Sequence, residues 1–323
     1  TLPERTETPL VINGDMQIAQ RGTSTTGVTT SGYHTADRMQ ISVSNQGTWT
    51  VAQSTDAPDG TGLSTSYRLD CTTADASPAS GDLLLVTYGF EGQDVQLLEK
   101  GTSAAKKVTI AFYVKSNKTG TYVLELDDND NARNINQAYT ISSANTWEKK
   151  VLLFDADTTG VLGNDNGLSL RFLWWLGSGS DFSSGSLQTS WASTDNTKRA
   201  VGNVNLADST DNDWSITGVQ VEVGDFNADT IPDFQFEDVS TNLRRCQRYF
   251  EKITVDYVGS SGGSGTKCVF WSYKVPKRAV PTVTEANTTK TAVRHTSVDA
   301  YGINRDGDNS ADLGLNTTAD CEL

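Results

Sequence analysis

The chain has 323 residues, 36% of them hydrophobic and 20% charged. That length allows two domains and at least one substantial core, and 7 Trp, 10 Tyr and 10 Phe supply anchors that exclude wholesale disorder. A net charge of −14 disfavours nucleic-acid binding, and no apolar run is long enough to insert into a membrane.

In chain order, residues 1–10 form an extended lead-in, interrupted by Pro3 and Pro9. Thr1-Leu2-Pro3-Glu4-Arg5 lacks the basic-then-apolar pattern of a signal peptide. Residues 11–23, VINGDMQIAQRGT, are predicted as the opening strand of a β domain, and Ser215 to Val223 as its closing strand. Between them come strands over Thr48 to Gln53, Lys107 to Lys115, Tyr122 to Leu126, Lys149 to Phe154 and Leu168 to Leu176. Val108, Ile110, Phe112 and Val114 alternate cleanly and so share one face. Gln93 to Glu99 is the only helical hint in this stretch. Many short strands with polar turns predict a mainly β fold, most simply a jelly-roll β-sandwich over 11–226.

A second unit over 237–323 is predicted as a small β-rich (α+β) domain with one helix, 240–253. Ser240 or Thr241 serves as N-cap, and Leu243, Cys246, Phe250 and Ile253 recur at helical spacing. The Gly/Ser run 260–265 is a loop, and strands resume at Lys267 to Tyr273. The cysteines Cys71, Cys246, Cys268 and Cys321 show no CxxC pair. Buried thiols are the simpler expectation, with a Cys268–Cys321 bridge as the alternative.

Chemistry-bearing patterns are sparse. His34 and His295 sit in no nucleophile, zinc or phosphate-binding motif, so no catalytic residue and no enzymatic activity are expected. No cofactor is implied beyond a Ca²⁺ reading of one loop. Asp225, Asn227, Asp229 and Asp233 place oxygens at alternate positions, as calcium loops do. Thr230 stands where such loops want Gly, and no bidentate Glu follows. Asp127 to Asn131 and Asp155 to Asp157 are weaker versions of the same pattern. Glycans are held on flat aromatic faces flanked by hydroxyls and amides. The residues selected on that basis are Trp174, Trp175, Tyr257, Trp271 and Tyr273, although neighbours on a strand point to opposite faces and Trp is mostly buried. Trp49, Trp147, Trp191 and Trp214 are assigned to packing. Arg244, Arg245 and Arg248 form a basic cluster, solvated or meeting acids of a neighbouring subunit.

Several segments together carry a resemblance. They are the opening 11–23, FYVKSNKTGT at 112–121, NTWEKK at 145–150, GSDF at 179–182, NLADS at 205–209, ITGVQVEVG at 216–224, RRCQRYF at 244–250 and ADCEL at 319–323. These resemble bacteriophage virion structural proteins of the tail-fibre type. The resemblance implies a jelly roll followed by a C-terminal module, location in the virion, contacts with other virion proteins, assembly as a homotrimer and attachment to a host-surface glycan. More distantly, Asn13-Gly14-Asp15 resembles the opening of carbohydrate-binding modules. In those modules nearby acids hold a structural calcium, whereas this chain has Gln17 and Thr217 there. A short lead-in in place of a shaft raises the alternative of a capsid decoration protein (head fibre or cement).

Overall fold

The computed structural model describes residues 8–257, 267–284, 291–305 and 313–323, without the side chains of 254–257, 267–271, 291–295, 301–305 and 313–316. The chain divides into two compact units, the first ending at Glu237 and the second starting at Asp238.

The first unit holds thirteen strands: β1 (Ser24–Val28), β2 (Gly32–Tyr33), β3 (Gln40–Ser44), β4 (Thr48–Ser54), β5 (Ser66–Thr73), β6 (Leu83–Glu91), β7 (Val108–Ser116), β8 (Gly120–Asp128), β9 (Arg133–Ile141), β10 (Glu148–Phe154), β11 (Leu168–Ser178), β12 (Ala192–Ser193) and β13 (Asp213–Val223). They form two antiparallel sheets, one ordered β1-β4-β5-β13-β7-β10 and the other β12-β9-β8-β11-β6-β3-β2. Successive strands repeatedly change sheet, as from β6 to β7, β7 to β8 and β10 to β11. The result is a jelly-roll β-sandwich.

Alternation builds its core. Val108, Ile110, Phe112 and Val114 of β7 and, beside them in the same sheet, Trp214 and Ile216 of β13 share one buried cluster with Leu124 and Leu126 of β8 and Phe172 and Trp174 of β11 from the other sheet. Phe112 meets Trp174 edge-on with ring centroids 5.9 Å apart, and Phe172 meets it likewise at 5.9 Å. The helical hint at Gln93 to Glu99 resolves into two 3₁₀ turns, Gly92–Asp94 and Gln96–Leu98.

The opening segment departs from its predicted strand. Asn13 and Met16 both have φ of +60°, the left-handed region that residues with a β-carbon do not adopt in a regular strand. The Asn13 side chain holds the resulting loop: its Oδ1 accepts from Ile18 N at 2.8 Å, and its Nδ2 donates to Ile18 O at 2.9 Å and Asp37 O at 3.0 Å. Apolar residues at 11, 12, 16 and 18 are buried all the same, so the pattern reported burial rather than a strand. The loop still meets the closing strand, for Val219 N donates to Gly14 O at 2.9 Å.

The sandwich unit also holds a short helix α1 (Ser180–Ser183), and the second unit begins with α2 (Val239–Gln247). The helix ends well short of the predicted 253. Asp238, not Ser240 or Thr241, is the N-cap, accepting from Ser240 N and Thr241 N at 3.0 Å each. Beyond it, Phe250 starts a strand because the stretch to Tyr257 carries β-branched Ile253, Thr254 and Val255 and finds a full-length partner. That strand is β14 (Phe250–Tyr257); β15 (Lys267–Ser272), β16 (Thr282–Thr284), β17 (Thr291–Thr296), β18 (Ala300–Arg305) and β19 (Leu313–Asp320) follow. They make two three-stranded sheets, β14-β19-β16 and β15-β18-β17. Cys71, Cys246 and Cys321 are buried free thiols, while the Cys268 side chain lies outside the described residues.

Candidate functional site

The outer face of the β13-containing sheet carries a groove of about 370 Å³. A loop, three strands and the segment after β13 enclose it. Gly60, Thr61 and Leu63 come from the β4–β5 loop; Tyr113, Lys149, Gly218 and Gln220 come from β7, β10 and β13; Asp233, Phe234 and Phe236 follow β13. Tyr113 is there because β7 alternates: if Phe112 and Val114 face the core, Tyr113 must face out. In the sheet ladder it pairs with Lys149 on one side and Thr217 on the other.

Immediately after Thr217 the register slips, and β13 bulges through Gly218 and Val219 before pairing resumes at Gln220. Gly218 has φ of +60°, a conformation costly for residues with a β-carbon. The bulge leaves bare backbone under the groove. The segment after β13 is tied over this face by Gln220 Nε2, which donates to Pro232 O at 2.9 Å. It brings up Phe234 and Phe236, whose ring centroids lie 5.0 Å apart at 76°. Phe236 remains 46% exposed, among the few large apolar side chains so placed.

The electrostatics are nearly balanced. The Lys149 ammonium lies 5.9 Å from the Tyr113 ring centroid, and the Asp233 carboxylate lines the same groove. Burial, and after it the charge of Asp233, pushes the Tyr113 hydroxyl above its ordinary range. It therefore stays protonated and can donate at neutral pH. Farther along the face, Trp147 Nε1 donates to Asp56 Oδ1 at 3.0 Å with the Lys115 ammonium 5.4 Å from its ring centroid. The site offers rings, amide, hydroxyl, ammonium and carboxylate in one open trough, a surface suited to a polar ligand with apolar faces.

The residues selected from sequence sit elsewhere. Trp174 and Trp175 point to opposite faces of β11, as strand geometry requires, yet both are fully buried. Trp174 fills the sandwich core. Trp175 lies beneath the segment after β11, with Phe182 at 5.3 Å, Arg199 5.4 Å from the ring centroid, and its Nε1 donating to Glu125 Oε2 at 2.7 Å. Neither can stack on a sugar. Tyr273 is also buried, below Lys277 at 4.7 Å, with its hydroxyl 3.4 Å from Thr296 Oγ1. The side chains of Tyr257 and Trp271 lie outside the described residues.

The proposed calcium loop is used otherwise. Asn227 Oδ1 accepts from Asp229 N at 2.9 Å and Thr230 N at 3.2 Å, an Asx turn. Asp225 pairs with Lys107 at 3.0 Å, and Asp233 belongs to the groove. Among the described residues no three His, Cys, Asp or Glu side chains converge as a metal cluster. Arg244 is exposed on α2, while Arg245 and Arg248 are half-buried at its end. His34 is held below its ordinary pKa, first by burial, and the His295 side chain lies outside the described residues.

Two other acidic stretches do come together. Asp128 and Asp157 meet around Lys100: its Nζ contacts Asp128, lies 3.0 Å from Asp157 Oδ2 and donates to Gly160 O at 3.0 Å. Arg133 grips Asp157 with two hydrogen bonds, 2.9 and 3.0 Å.

No family model matches the chain, and neither does any curated protein. Among solved structures it is similar to the enzymatically active domain of tailspike protein 4 of bacteriophage CBA120, at 13% identity and a TM-score of 0.34 over 67% of this chain. The match spans 21% of the tailspike chain. It is also similar to a CBM4 structure, at 11% identity and a TM-score of 0.28, over 57% of this chain and 77% of that one. A family 11 carbohydrate-binding module from Clostridium thermocellum, in complex with a mixed-linked β-1,3-1,4 tetrasaccharide, matches at 9% identity and a TM-score of 0.26, over 65% and 92%. At these scores neither family nor function passes from them to this chain.

Proposed function

We propose that the sandwich unit is a glycan-binding module of a phage virion structural protein, and that its ligand lies in the groove of Tyr113, Phe234 and Phe236. The carrying observation is the exposed aromatic trough on the sheet face, flanked by Gln220, Lys149 and Asp233. Sugar C–H faces pack against rings, while ring hydroxyls exchange hydrogen bonds with flanking amide and charged groups. The virion setting and the host surface as the source of the glycan rest on the resemblance of the segments from 11–23 to 319–323.

The proposed ligand is a neutral glycan. A chain of net charge −14 repels polyanionic saccharides. Within the groove, the one ammonium of Lys149 is offset by Asp233. The role is binding without turnover.

The test is a glycan array probed with the full chain and with Tyr113→Ala, followed by competition in host-cell adsorption. Binding of neutral glycans that the variant loses is the expected result. A blank array, or binding indifferent to Tyr113, overturns this reading.

A further inference from the structure

We propose that Lys100 and Asp128 condense into an intramolecular amide cross-link, with Asp157 carrying the proton. The Lys100, Asp128 and Asp157 side chains are 5%, 0% and 4% exposed. Leu98, Leu126, Phe154 and Leu170 surround the site on the core side. The Trp191 ring closes the outer side, 4.7 Å from Lys100 Nζ, and is itself fixed by Nε1 donating to Asp155 O at 2.7 Å. Two ionised groups in such surroundings lose most of their hydration.

The remaining parts of an acyl-transfer site are in place. Gly160 O and Thr159 O accept from Lys100 Nζ at 3.0 and 3.4 Å and aim it. Asn131 N and Nδ2 each donate to Asp128 Oδ1 at 3.0 Å, where negative charge would gather in a tetrahedral intermediate. Asp157, gripped by Arg133, is a carboxylate within reach of the nitrogen. Holding nucleophile and carbonyl in contact removes the entropic part of the barrier.

The step balances without another reactant. One proton passes from the Lys100 ammonium to the Asp128 carboxylate. The amine lone pair attacks Asp128 Cγ, and an N–H proton travels through Asp157 to the departing hydroxyl. A C–N bond forms, a C–O bond breaks, one water leaves, and Asp157 ends as it began. The product ties the loop after β6 to the end of β8 with a covalent staple.

Intact-mass spectrometry of the full chain, unfolded before measurement, is the test. The expected mass is one water below that of the sequence, with digestion yielding a branched peptide joining Lys100 to Asp128. Lys100→Met and Asp157→Asn should both restore the full sequence mass, with folding checked by circular dichroism. A wild-type mass equal to that of the sequence overturns the proposal and leaves a buried ion pair. So does a one-water deficit that persists in Lys100→Met.

Discussion

The Tyr113 ring rests against the bare backbone of Gly218: a β-carbon on Gly218 would come 3.1 Å from Tyr113 Cδ2 and 2.8 Å from Leu63 Cδ1. The bulge in β13 and the aromatic floor of the groove are therefore one feature. Gly218→Ala adds both this crowding and the strain of a positive φ, about 1–2 kcal/mol. The expected outcome is a moderate drop in the urea midpoint together with a disproportionate loss of glycan affinity, because Tyr113 must move. Unfolding curves and titration calorimetry on the same preparation separate the two.

Truncating the floor tests the ring directly. Tyr113→Ala should weaken binding by about 2 kcal/mol, the scale of an aromatic anchor in an interface, with little change in stability for a half-buried outward residue. Tyr113→Phe keeps the ring and removes the hydroxyl. If stacking dominates, it retains most of the affinity measured by calorimetry.

Trp174→Ala and Trp175→Ala should behave as core mutations, each costing about 3–5 kcal/mol in chemical denaturation. Trp175→Phe is the more informative change. It keeps the packing against Phe182 but leaves Glu125 without its indole donor, at about 1–3 kcal/mol. Glycan affinity, measured on folded protein, should not change.

What could be read from the sequence follows from which physical signals are local. The strict alternation of Val108, Ile110, Phe112 and Val114 in β7 puts them in the core and Tyr113 on the opposite face, a signal that a search for tryptophans, which leads to β11, does not contain. The two tryptophans of β11 alternate as expected, but the segment after it covers Trp175, which periodicity does not encode. Phe234 and Phe236 follow Pro232 in no regular element, and the bond from Gln220 to Pro232 O, which helps bring them to the groove, joins residues that no local pattern links. The helical stripe extends past the true end of α2 because Phe250 and Ile253 fit both that stripe and a strand. Pairing with β19, distant in sequence, decides for the strand. The meeting of Asp128 and Asp157 at Lys100 is likewise invisible along the chain.

Gly14→Ala tests the joint between the opening loop and the closing strand. An added β-carbon would fall 2.3 Å from Val219 O, a backbone atom with no rotamer to yield. The loop must then shift, breaking the Val219 N–Gly14 O hydrogen bond and disturbing the bond from Thr65 Oγ1 to Asp15 O at 2.8 Å. A loss of about 2 kcal/mol or more is expected in urea denaturation. Amide exchange should rise first at Val219 and Ile18.

Acid sensitivity should trace in part to Glu148. Burial works against its ionisation, but hydrogen bonds from Lys150 and from Ser143 N and Ser142 N outweigh that and hold its carboxyl below the ordinary range. The backbone bonds are 2.8 Å each. With the folded pKa below the unfolded one, the unfolded chain takes up the proton first as pH falls. The stabilisation is therefore complete above the unfolded value of about 4.3 and is lost as pH drops through the lower, folded value. Glu148→Gln removes that dependence. Its denaturation midpoint should lie below the wild type's at pH 7, and the gap should narrow as the pH is lowered through the acid range. A gap that stays constant with pH would mean that Glu148 contributes through packing rather than through its charge.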